Sequence, residues 1–314
     1  MLTKQVIHDS DPGPDDLSTS MLILPGRKSL VLTCYGCGSV EDSTRNAAGF
    51  LSLLDLPDAQ LIKGAAGPLQ QHPIAGDNLP RFFGSNGLNN IELSESGLEY
   101  QTDASNSVFE FLKQGQTTYF LTGPCTNLAK LLLADADFVK SRIERIFMMG
   151  GALRTRGNEG PKDAQGNQWA EFNFYLDPKA ANIVLASGIP ISLVTWDAAQ
   201  AFKIKRSEVQ KIKPNGEASG LIVDSISKFF ELYSDDKHSE AQQEPAMILS
   251  DVLTYMDASD QRLTTRETIK VRVSEEFNSY GRLIEDRENG HAVQYVTLNY
   301  PMLAQLHFIK KLEN

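Results

Sequence analysis

Apolar and polar positions along the chain follow two periods, one typical of strands and one typical of helices. The run 29–35 predicts a buried strand, because it is rich in apolar and β-branched residues. The stretch 41–54 predicts a helix, because Ala47, Phe50 and Leu54 recur at a spacing of three to four. Further predicted strands are 4–8, 60–62, 117–121, 143–148, 191–196, 268–273 and 292–298. Further predicted helices are 17–24, 104–114, 127–133, 178–187 and 301–312, with two helical stretches after residue 205.

Strands and helices alternate in this order over the first 200 residues. Such alternation predicts an α/β fold, a mostly parallel, doubly wound (Rossmann-like) sheet with helices on both faces. Ligands of such sheets bind beyond the carboxyl ends of the strands. Residues 64–100 predict a long loop region and 154–169 a polar, glycine-rich flap. No repeat or clear linker divides the chain, so residues 1–314 are expected to form a single domain.

Four carboxylates crowd the end of the first predicted strand. Residues 9–16 read Asp-Ser-Asp-Pro-Gly-Pro-Asp-Asp. Carboxylates this close repel one another, so either some keep a proton at raised pKa or a cation lies among them. The Pro-Gly-Pro triplet forms a sharp turn that can fold the acids around one point. An all-oxygen cluster favours Ca²⁺ or Mg²⁺ over zinc, and the octapeptide is therefore a candidate metal site.

Composition narrows the range of partners and compartments. The chain has 314 residues, of which 41% are hydrophobic and 22% charged, which is ordinary globular composition. The net charge is 30 − 40 = −10, which disfavours nucleic acid and suits a neutral or cationic small molecule. No signal peptide or membrane span is visible in the sequence. Three cysteines are too few for a disulfide framework, so we expect a reduced, cytoplasmic protein.

Five segments, spread over the first 200 residues, resemble motifs of the inosine–uridine nucleoside hydrolase family in the family's order. Residues 9–16 match every fixed position of its Asp-x-Asp-Pro-Gly-x-Asp-Asp hallmark. The other four segments are Ser-Thr-Arg-Asn-Ala at 43–47, Leu-Thr-Gly-Pro-Cys-Thr-Asn-Leu-Ala at 121–129, Met-Met-Gly-Gly at 148–151 and Ala-Glu-Phe-Asn-Phe-Tyr-Leu-Asp-Pro at 170–178. Five matches in register make the resemblance specific, whereas the C-terminal third matches less clearly.

The resemblance implies the nucleoside hydrolase fold and Ca²⁺-dependent hydrolysis of ribonucleosides to ribose and free base. It also implies a homodimer or homotetramer whose partner is a small-molecule nucleoside. Asp11 would bind Ca²⁺ and take the proton of the attacking water, with Asp16 and the Thr122 carbonyl as further ligands. Asp15 would accept a hydrogen bond from a ribose hydroxyl, and Asp9 would support the metal site.

Further ribose contacts are implied for Glu171, Asn173 and Met149. Glu171 and Asn173, two apart on a segment expected to be extended, would point the same way and hold the two edges of the ribose. Met149 would lie under the sugar ring. The alternative for Glu171 and Asn173 is an ordinary exposed segment ahead of the helix 178–187.

The chain departs from the family pattern in its first half at two positions. Cys37 stands where the family has an Asn that touches ribose, and a thiol is a weak hydrogen-bond partner. Cys34 and Cys37 also form a C-x-x-C, which leaves a redox or zinc role open, although Cys34 is expected in the core. Phe83 replaces the His of a family His-Gly-x-x-Gly loop, and it either stacks on a base or packs.

The most consequential departure is C-terminal. The family carries a His-Asp pair there, in which Asp binds Ca²⁺ and His serves the departing base. Asp251, preceded by Ser250, is the favoured counterpart of that Asp, and Glu244 is the alternative. The His is absent in either alignment. His238 could partly compensate, and Trp196 begins a segment that replaces another family His, either as core or as a stacking platform.

These departures leave three functional hypotheses. The first is a ribonucleoside N-hydrolase with unusual base preference, because a general acid contributes about 10²- to 10⁴-fold to such reactions. The second is a catalytically altered protein that binds a sugar or nucleoside. The third is a haloacid-dehalogenase-type phosphohydrolase with Asp9 as nucleophile and a Mg²⁺ site, which the other four matched segments disfavour.

Overall fold

The computed structural model describes residues 2–56, 58–76, 78–79, 81–93, 98–233 and 244–314. Within these ranges the strands are β1 Gln5–Ser10, β2 Lys28–Thr33, β3 Gln60–Lys63, β4 Thr117–Leu121, β5 Ile143–Met149, β6 Glu159–Lys162, β7 Gln168–Ala170, β8 Ile191–Val194, β9 Lys203–Lys205, β10 Ala246–Ile248, β11 Thr264–Val273, β12 Leu283–Glu285 and β13 His291–Leu298. The α-helices are α1 Pro14–Ile23, α2 Val40–Leu53, α3 Ala104–Leu112, α4 Thr126–Arg142, α5 Phe172–Leu176, α6 Pro178–Leu185, α7 Trp196–Ala199, α8 Arg206–Val209, α9 Glu217–Leu232, α10 Val252–Ser259 and α11 Pro301–Glu313.

Nine strands form one central sheet in the order β12-β11-β13-β8-β5-β4-β1-β2-β3. The seven strands from β13 to β3 are parallel to their neighbours, and β11 and β12 add an antiparallel edge. The predicted mostly parallel, doubly wound sheet is confirmed. The order of connection reverses between β1 and β4, and a crevice for ligands opens at such a point outside the carboxyl ends of the strands.

Helices cover both faces of the sheet because its inner strands are apolar on both sides. In β1, Ile7 joins the core formed with α3, α4 and α6, whereas its neighbour Val6 joins the core formed with α2. Successive side chains of a strand point to opposite faces, which explains this division. A third cluster packs α1, α9, α10 and α11 together. It lies beside residues 9–16, which carry the four clustered aspartates and are called the acid turn below. Because α1 follows β1 closely in the chain, this cluster lies beside the carboxyl end of β1.

Several predicted boundaries differ from the structure. The helix predicted at 127–133 continues to Arg142, through a non-helical residue at Asp135. The flap predicted at 154–169 contains the antiparallel pair β6–β7. The segment predicted as extended around Glu171 and Asn173 is wrong, because α5 begins at Phe172. None of the helices in the described ranges is long and apolar enough to cross a membrane.

Candidate functional site

A cavity of about 330 Å³ opens beyond the carboxyl ends of the central strands. Two kinds of side chain dominate its wall, carboxyl groups and aromatic rings. The carboxyl groups are those of Asp11, Asp15, Asp16, Glu171 and Asp251. The aromatic rings are those of Phe82, Phe83, Phe172, Trp196 and Phe229. Cys37, Thr122, Met149, Asn173 and Ser250 also line the cavity, so the structure brings together most of the residues singled out from the sequence.

Asp11 is buried and held by a segment that follows β2. The backbone N–H of Cys37 donates a hydrogen bond to its Oδ2 at 2.7 Å. Gly36 makes this approach possible, because a Cβ built on Gly36 would lie 2.0 Å from that same oxygen. Burial, the largest effect, raises the pKa of Asp11 to about 8 in the absence of any ion.

Asp16 is fixed from two sides at the start of α1. The backbone N–H of Gly13 donates to its Oδ2 at 3.0 Å, as in a helix cap. The hydroxyl of Thr122, at the end of β4, donates to its Oδ1 at 2.6 Å. The turn after β1 and the turn after β4 are therefore joined at this carboxylate.

His8 extends this connection into the sheet and was not identified from the sequence. Its Nε2 lies 2.9 Å from the Thr122 hydroxyl and its Nδ1 lies 2.8 Å from the Ser20 hydroxyl. Because the Thr122 hydroxyl donates to Asp16, it accepts from His8, which places the histidine proton on Nε2. Burial lowers the pKa of His8 to about 3, so the ring is neutral. A histidine directly after the apolar pair Val6-Ile7 was the only signal in the sequence.

Carboxyl oxygens of Asp15 and Asp251 lie within 4.8 Å of each other in the cavity wall, although the two residues are distant in the sequence. The Ser250 hydroxyl donates to Asp15 Oδ2 at 2.9 Å, and Asp251 follows directly at the start of α10. Glu244, the alternative to Asp251, is exposed instead, and its Oε1 accepts from the backbone N–H of Ser207 at 2.7 Å. The structure therefore places Asp251 in the cavity wall and Glu244 outside it.

Asp9 lies beneath the cavity and does not line it. Its carboxylate accepts hydrogen bonds from the Tyr119 hydroxyl at 2.7 Å and the Asn127 amide at 2.8 Å. Burial outweighs these bonds and raises its pKa to about 7. A phosphohydrolase nucleophile would have to reach its substrate, and Asp9 is fully buried with both oxygens occupied.

Glu171 and Asn173 reach the cavity from the first turn of α5, not from an extended segment. Glu171 caps this helix, because Oε1 accepts from the backbone N–H of Asn173 at 2.9 Å. Its Oε2 accepts from the Gly151 N–H at 2.7 Å, and burial raises its pKa to about 7. The Asn173 amide donates to the Thr122 carbonyl at 2.8 Å and lies 3.6 Å from Met149 Sδ.

The three cysteines are buried and free. Cys34 lies in a small apolar cluster and not in a disulfide with Cys37, which gives no support to a redox role for the C-x-x-C. Cys37 Sγ faces Asp11, and burial raises the pKa of its thiol well above the usual range. His238 lies outside the described residues.

The carboxyl groups fit a bound cation. Ligand atoms of Asp15, Asp16 and Asp251 lie within 4.8 Å of one another, as do those of Asp11, Asp16 and Cys37. Among the lining residues that the structure describes, none is Lys, Arg or His. Burial and mutual repulsion raise the pKa of Asp16 and Asp251 well above their usual range. A metal ion would relieve this repulsion, and oxygen donors suit a hard divalent ion.

The aromatic rings form the other wall. Phe82 packs edge-on against Phe172 with ring centroids 4.8 Å apart, and Phe83 packs on Phe229 at 6.2 Å. Phe83 has a φ of +60°, a backbone conformation that non-glycine residues rarely adopt. Trp196 is half-buried, since it lines the cavity and also packs against the core beside α9 and α10.

Comparison with known proteins identifies the chain's relatives. Residues 6–303 match the family described as inosine-uridine preferring nucleoside hydrolase. A pyrimidine-specific ribonucleoside hydrolase RihA from Shewanella baltica is 34% identical over 241 residues, which are 75% of this chain and 72% of that protein. The RihA of Salmonella enteritidis is 32% identical over 238 residues, 74% of this chain and 73% of its own length.

Solved structures show the same fold at lower sequence identity. A plant nucleoside hydrolase superposes with a TM-score of 0.84 at 23% identity, over 98% of each chain. A purine-preferring ribonucleoside hydrolase from Gardnerella vaginalis gives 0.82 at 24% identity, again over 98% of each chain. The predicted nucleoside hydrolase fold is confirmed. The chain belongs to the inosine-uridine preferring nucleoside hydrolase family and is therefore an N-glycosyl hydrolase.

Proposed function

We propose that this protein is a Ca²⁺-dependent hydrolase of ribonucleosides with an unusual base preference. The observation that carries the proposal is the buried set of carboxyl groups around one point, with no cationic side chain among the described lining residues. Such a set is stable as carboxylates when a divalent ion neutralises it. The cavity volume falls within the range of small-molecule sites.

Asp11, Asp16, the Thr122 carbonyl and Asp251 would hold the ion. These are carboxylate and carbonyl oxygens, which Ca²⁺ prefers over nitrogen or sulfur. The bound ion would lower the pKa of a water and orient the ribose hydroxyls. The Asn173 amide now bonded to the Thr122 carbonyl leaves that oxygen a second lone pair.

The chain's own groups would then bind the sugar and accept a proton. Asp11 would take the proton of the attacking water while the C1′–N bond breaks, and the Cys37 N–H holds its carboxylate in orientation. Asp15 would accept from a ribose hydroxyl. Glu171 and Asn173 would hold the ribose edges over Met149, and Cys37 would make at most a weak sugar contact.

The residues that would face the nucleoside base support a changed base preference. The relatives named above are pyrimidine-specific, and the structural neighbour from Gardnerella is purine-preferring, so the fold does not dictate the base. This chain carries Phe83 and Ser250 where the family resemblance expected histidines. Ser250 donates to Asp15 and not toward the aromatic wall.

A nucleoside panel tests the activity. Purified protein should release ribose from at least one riboside with Ca²⁺ present, and EDTA should stop release until Ca²⁺ is returned. Absence of turnover of every riboside, with Ca²⁺ shown to be bound, would contradict the hydrolase proposal.

Calcium titration of two matched variants tests the ligand set. Asp251→Asn should weaken Ca²⁺ binding by at least about tenfold, because it removes one anionic ligand. Glu244→Gln, an equally conservative change outside the cavity, should leave binding unchanged. The opposite pattern would move the metal site to Glu244.

A second candidate function is a nucleoside-hydrolase-like protein that binds a sugar or nucleoside without turning it over. The missing histidine at Ser250 favours it. It would be correct if the wild type bound ribose analogues, Asp11→Asn abolished that binding, and no riboside were hydrolysed.

Three further properties stay predictions: a single domain, a homodimer or homotetramer, and a cytoplasmic location. Light scattering checks the subunit number.

A further inference from the structure

The cavity wall carries more carboxyl groups than one divalent ion can neutralise once they are ionised. Five carboxyl groups line it, and a single divalent ion offsets two. No Lys, Arg or His stands among the lining residues in the described ranges. In a site of low dielectric constant the remaining charge favours a cationic ligand.

An aromatic ring lies directly against the acid turn. A Cβ built on Gly13 would lie 3.0 Å from Phe83 Cδ2 and 3.3 Å from Cys37 Sγ, so the Phe83 ring covers that turn. Phe82 and Phe229 pack around Phe83 at centroid distances of 6.3 and 6.2 Å. Aromatic faces attract cations as well as heteroaromatic rings. A flat cationic ring would meet both preferences.

The described lining offers no side chain suited to protonate a departing base. The hydroxyls of Ser250 and Thr122 donate to Asp15 and Asp16. Both Glu171 oxygens accept backbone N–H groups, and the Cys37 thiol faces Asp11. The four aspartates of the wall are the groups proposed to hold the metal ion and the ribose, and the Trp196 N–H does not act as an acid. The remaining polar side chains of the described wall are the amides of Asn158 and Asn173, which do not act as acids either.

The chemistry of the leaving group connects these observations. When the C1′–N bond of a neutral nucleoside breaks, the electron pair leaves the base anionic, and a proton donor is needed. When the base is a quaternised ring such as pyridinium, the same electron pair leaves it neutral. The water oxygen bonds to C1′ in both cases, and one water proton passes to the Asp11 carboxylate. Only the cationic substrate needs no proton at the leaving nitrogen.

We propose that the substrates of this site are ribosides whose base is a cationic heteroaromatic ring, with N-ribosylpyridinium compounds as the type. The proposal rests on the hydrolase function proposed above and names the substrate class of the same cavity. Phe83 faces the cationic ring, and the carboxyl groups stabilise its charge until the bond breaks.

Comparative kinetics test the proposal. With Ca²⁺ present, kcat/KM for N-ribosylnicotinamide should exceed that for uridine and inosine by at least about 100-fold, the lower range of a general acid's contribution. Equal or faster hydrolysis of uridine or inosine would overturn the substrate class and leave the hydrolase function standing. Turnover of another riboside of the panel but of none of these three would also overturn the substrate class, and turnover of no riboside at all would overturn the hydrolase function itself.

Two variants test the residues that carry the argument. Phe83→Leu removes the aromatic face and should lower kcat/KM for N-ribosylnicotinamide by about 2- to 30-fold, with less than a twofold effect on uridine. Ser250→His supplies a titratable donor and should raise uridine hydrolysis relative to N-ribosylnicotinamide. If Phe83→Leu lowered both substrates alike, the cation-binding role of this ring would be wrong.

Two groups outside the described lining are tested as proton donors. The Tyr233 hydroxyl accepts from the Gly84 N–H, and His238 lies outside the described residues. Because N-ribosylnicotinamide needs no proton at its leaving nitrogen, neither Tyr233→Phe nor His238→Ala should lower its hydrolysis relative to that of uridine. Loss of a fast uridine activity in either variant would reveal a proton donor and overturn the proposal.

A binding measurement is independent of turnover. 1-Methylnicotinamide is a cation, and 3-methylbenzamide is its neutral isostere. The cation should compete for the site at a concentration at least about fivefold lower, within the range of a cation–π contact alone. Equal competition by the two would overturn the preference for charge.

Discussion

Asp11 depends on residues that come from different parts of the chain. Its own turn is local, but its orientation depends on the Cys37 N–H, and Gly36 allows the two segments to touch. A resemblance to family motifs predicted the carboxylate. The hydrogen bond that orients it depends on β1 and β2 lying side by side in the sheet, and the sequence does not show this pairing.

Asp11→Asn should reduce kcat by about 10²- to 10⁴-fold, because an amide cannot take the proton of water. Steady-state kinetics on the best riboside of the panel measures this, and calcium titration separates a lost base from a lost ligand. Activity within threefold of wild type would remove Asp11 from the proposed mechanism.

Gly36→Ala should disable the site, because the new Cβ would lie 2.0 Å from Asp11 Oδ2. Either Asp11 or the 36–37 segment must move, so we expect at least about a tenfold loss of kcat/KM. Gly67→Ala is the matched control, since a Cβ there meets nothing within 4 Å. Equal activity of the two variants would contradict this reading of the contact.

At the scale of elements, Asp9 joins β1 to β4 and α4. Tyr119 donates from inside β4, and Asn127 donates from the first turn of α4. These bonds fix the strand from which the acid turn projects. Asp9 and its two donors therefore support the site structurally, although Asp9 does not line the cavity.

Tyr119→Phe should lower the free energy of unfolding by about 1–3 kcal/mol, because it leaves a buried carboxyl oxygen without its donor. Urea unfolding followed by circular dichroism measures this. Tyr300→Phe, at a tyrosine that is 58% exposed, should change stability by less than about 0.5 kcal/mol. A Tyr119→Phe protein as stable as that control would show that Asp9 needs no phenol donor.

Elements with strong local patterns were predicted well, and those that depend on distant partners were not. The strand predicted at 117–121 matches β4 at both ends, since its apolar run is enclosed by polar turns. The short helix α5 was missed, because its cap Glu171 is also held by the Gly151 N–H twenty residues away. The pair β6–β7 was missed because its residues show no apolar alternation.

At the scale of the molecule, the buried carboxyl groups make stability depend on pH and metal. Burial raises the pKa of Asp9 and of Glu171 to about 7. A raised folded-state pKa contributes stability that is fully present below the unfolded-state pKa and is lost as pH rises through the folded-state value. The metal-free protein should therefore lose stability between about pH 4 and pH 7.

The expected loss between pH 5 and pH 8 in EDTA is at least about 2 kcal/mol, since each shifted pKa unit corresponds to about 1.4 kcal/mol. Urea unfolding at four pH values measures it. The exposed acids Asp163 and Asp260, whose pKa values are lowered to about 2, titrate below this window. Added Ca²⁺ should restore stability more at pH 8 than at pH 5, because the ligands bind as carboxylates. Stability that rose with pH in EDTA would contradict the raised pKa values of Asp9 and Glu171.

The sequence by itself determined the alternation of strands and helices, the parallel sheet and the crowded acid turn. These follow from patterns within a few residues, because backbone periodicity and turn chemistry are local. The tertiary structure decided that Asp251 lies in the cavity and Glu244 outside it. It also decided the His8–Thr122–Asp16 connection and the aromatic wall. These features join residues up to 235 positions apart, and only the packing of helices and strands around the sheet brings such side chains together.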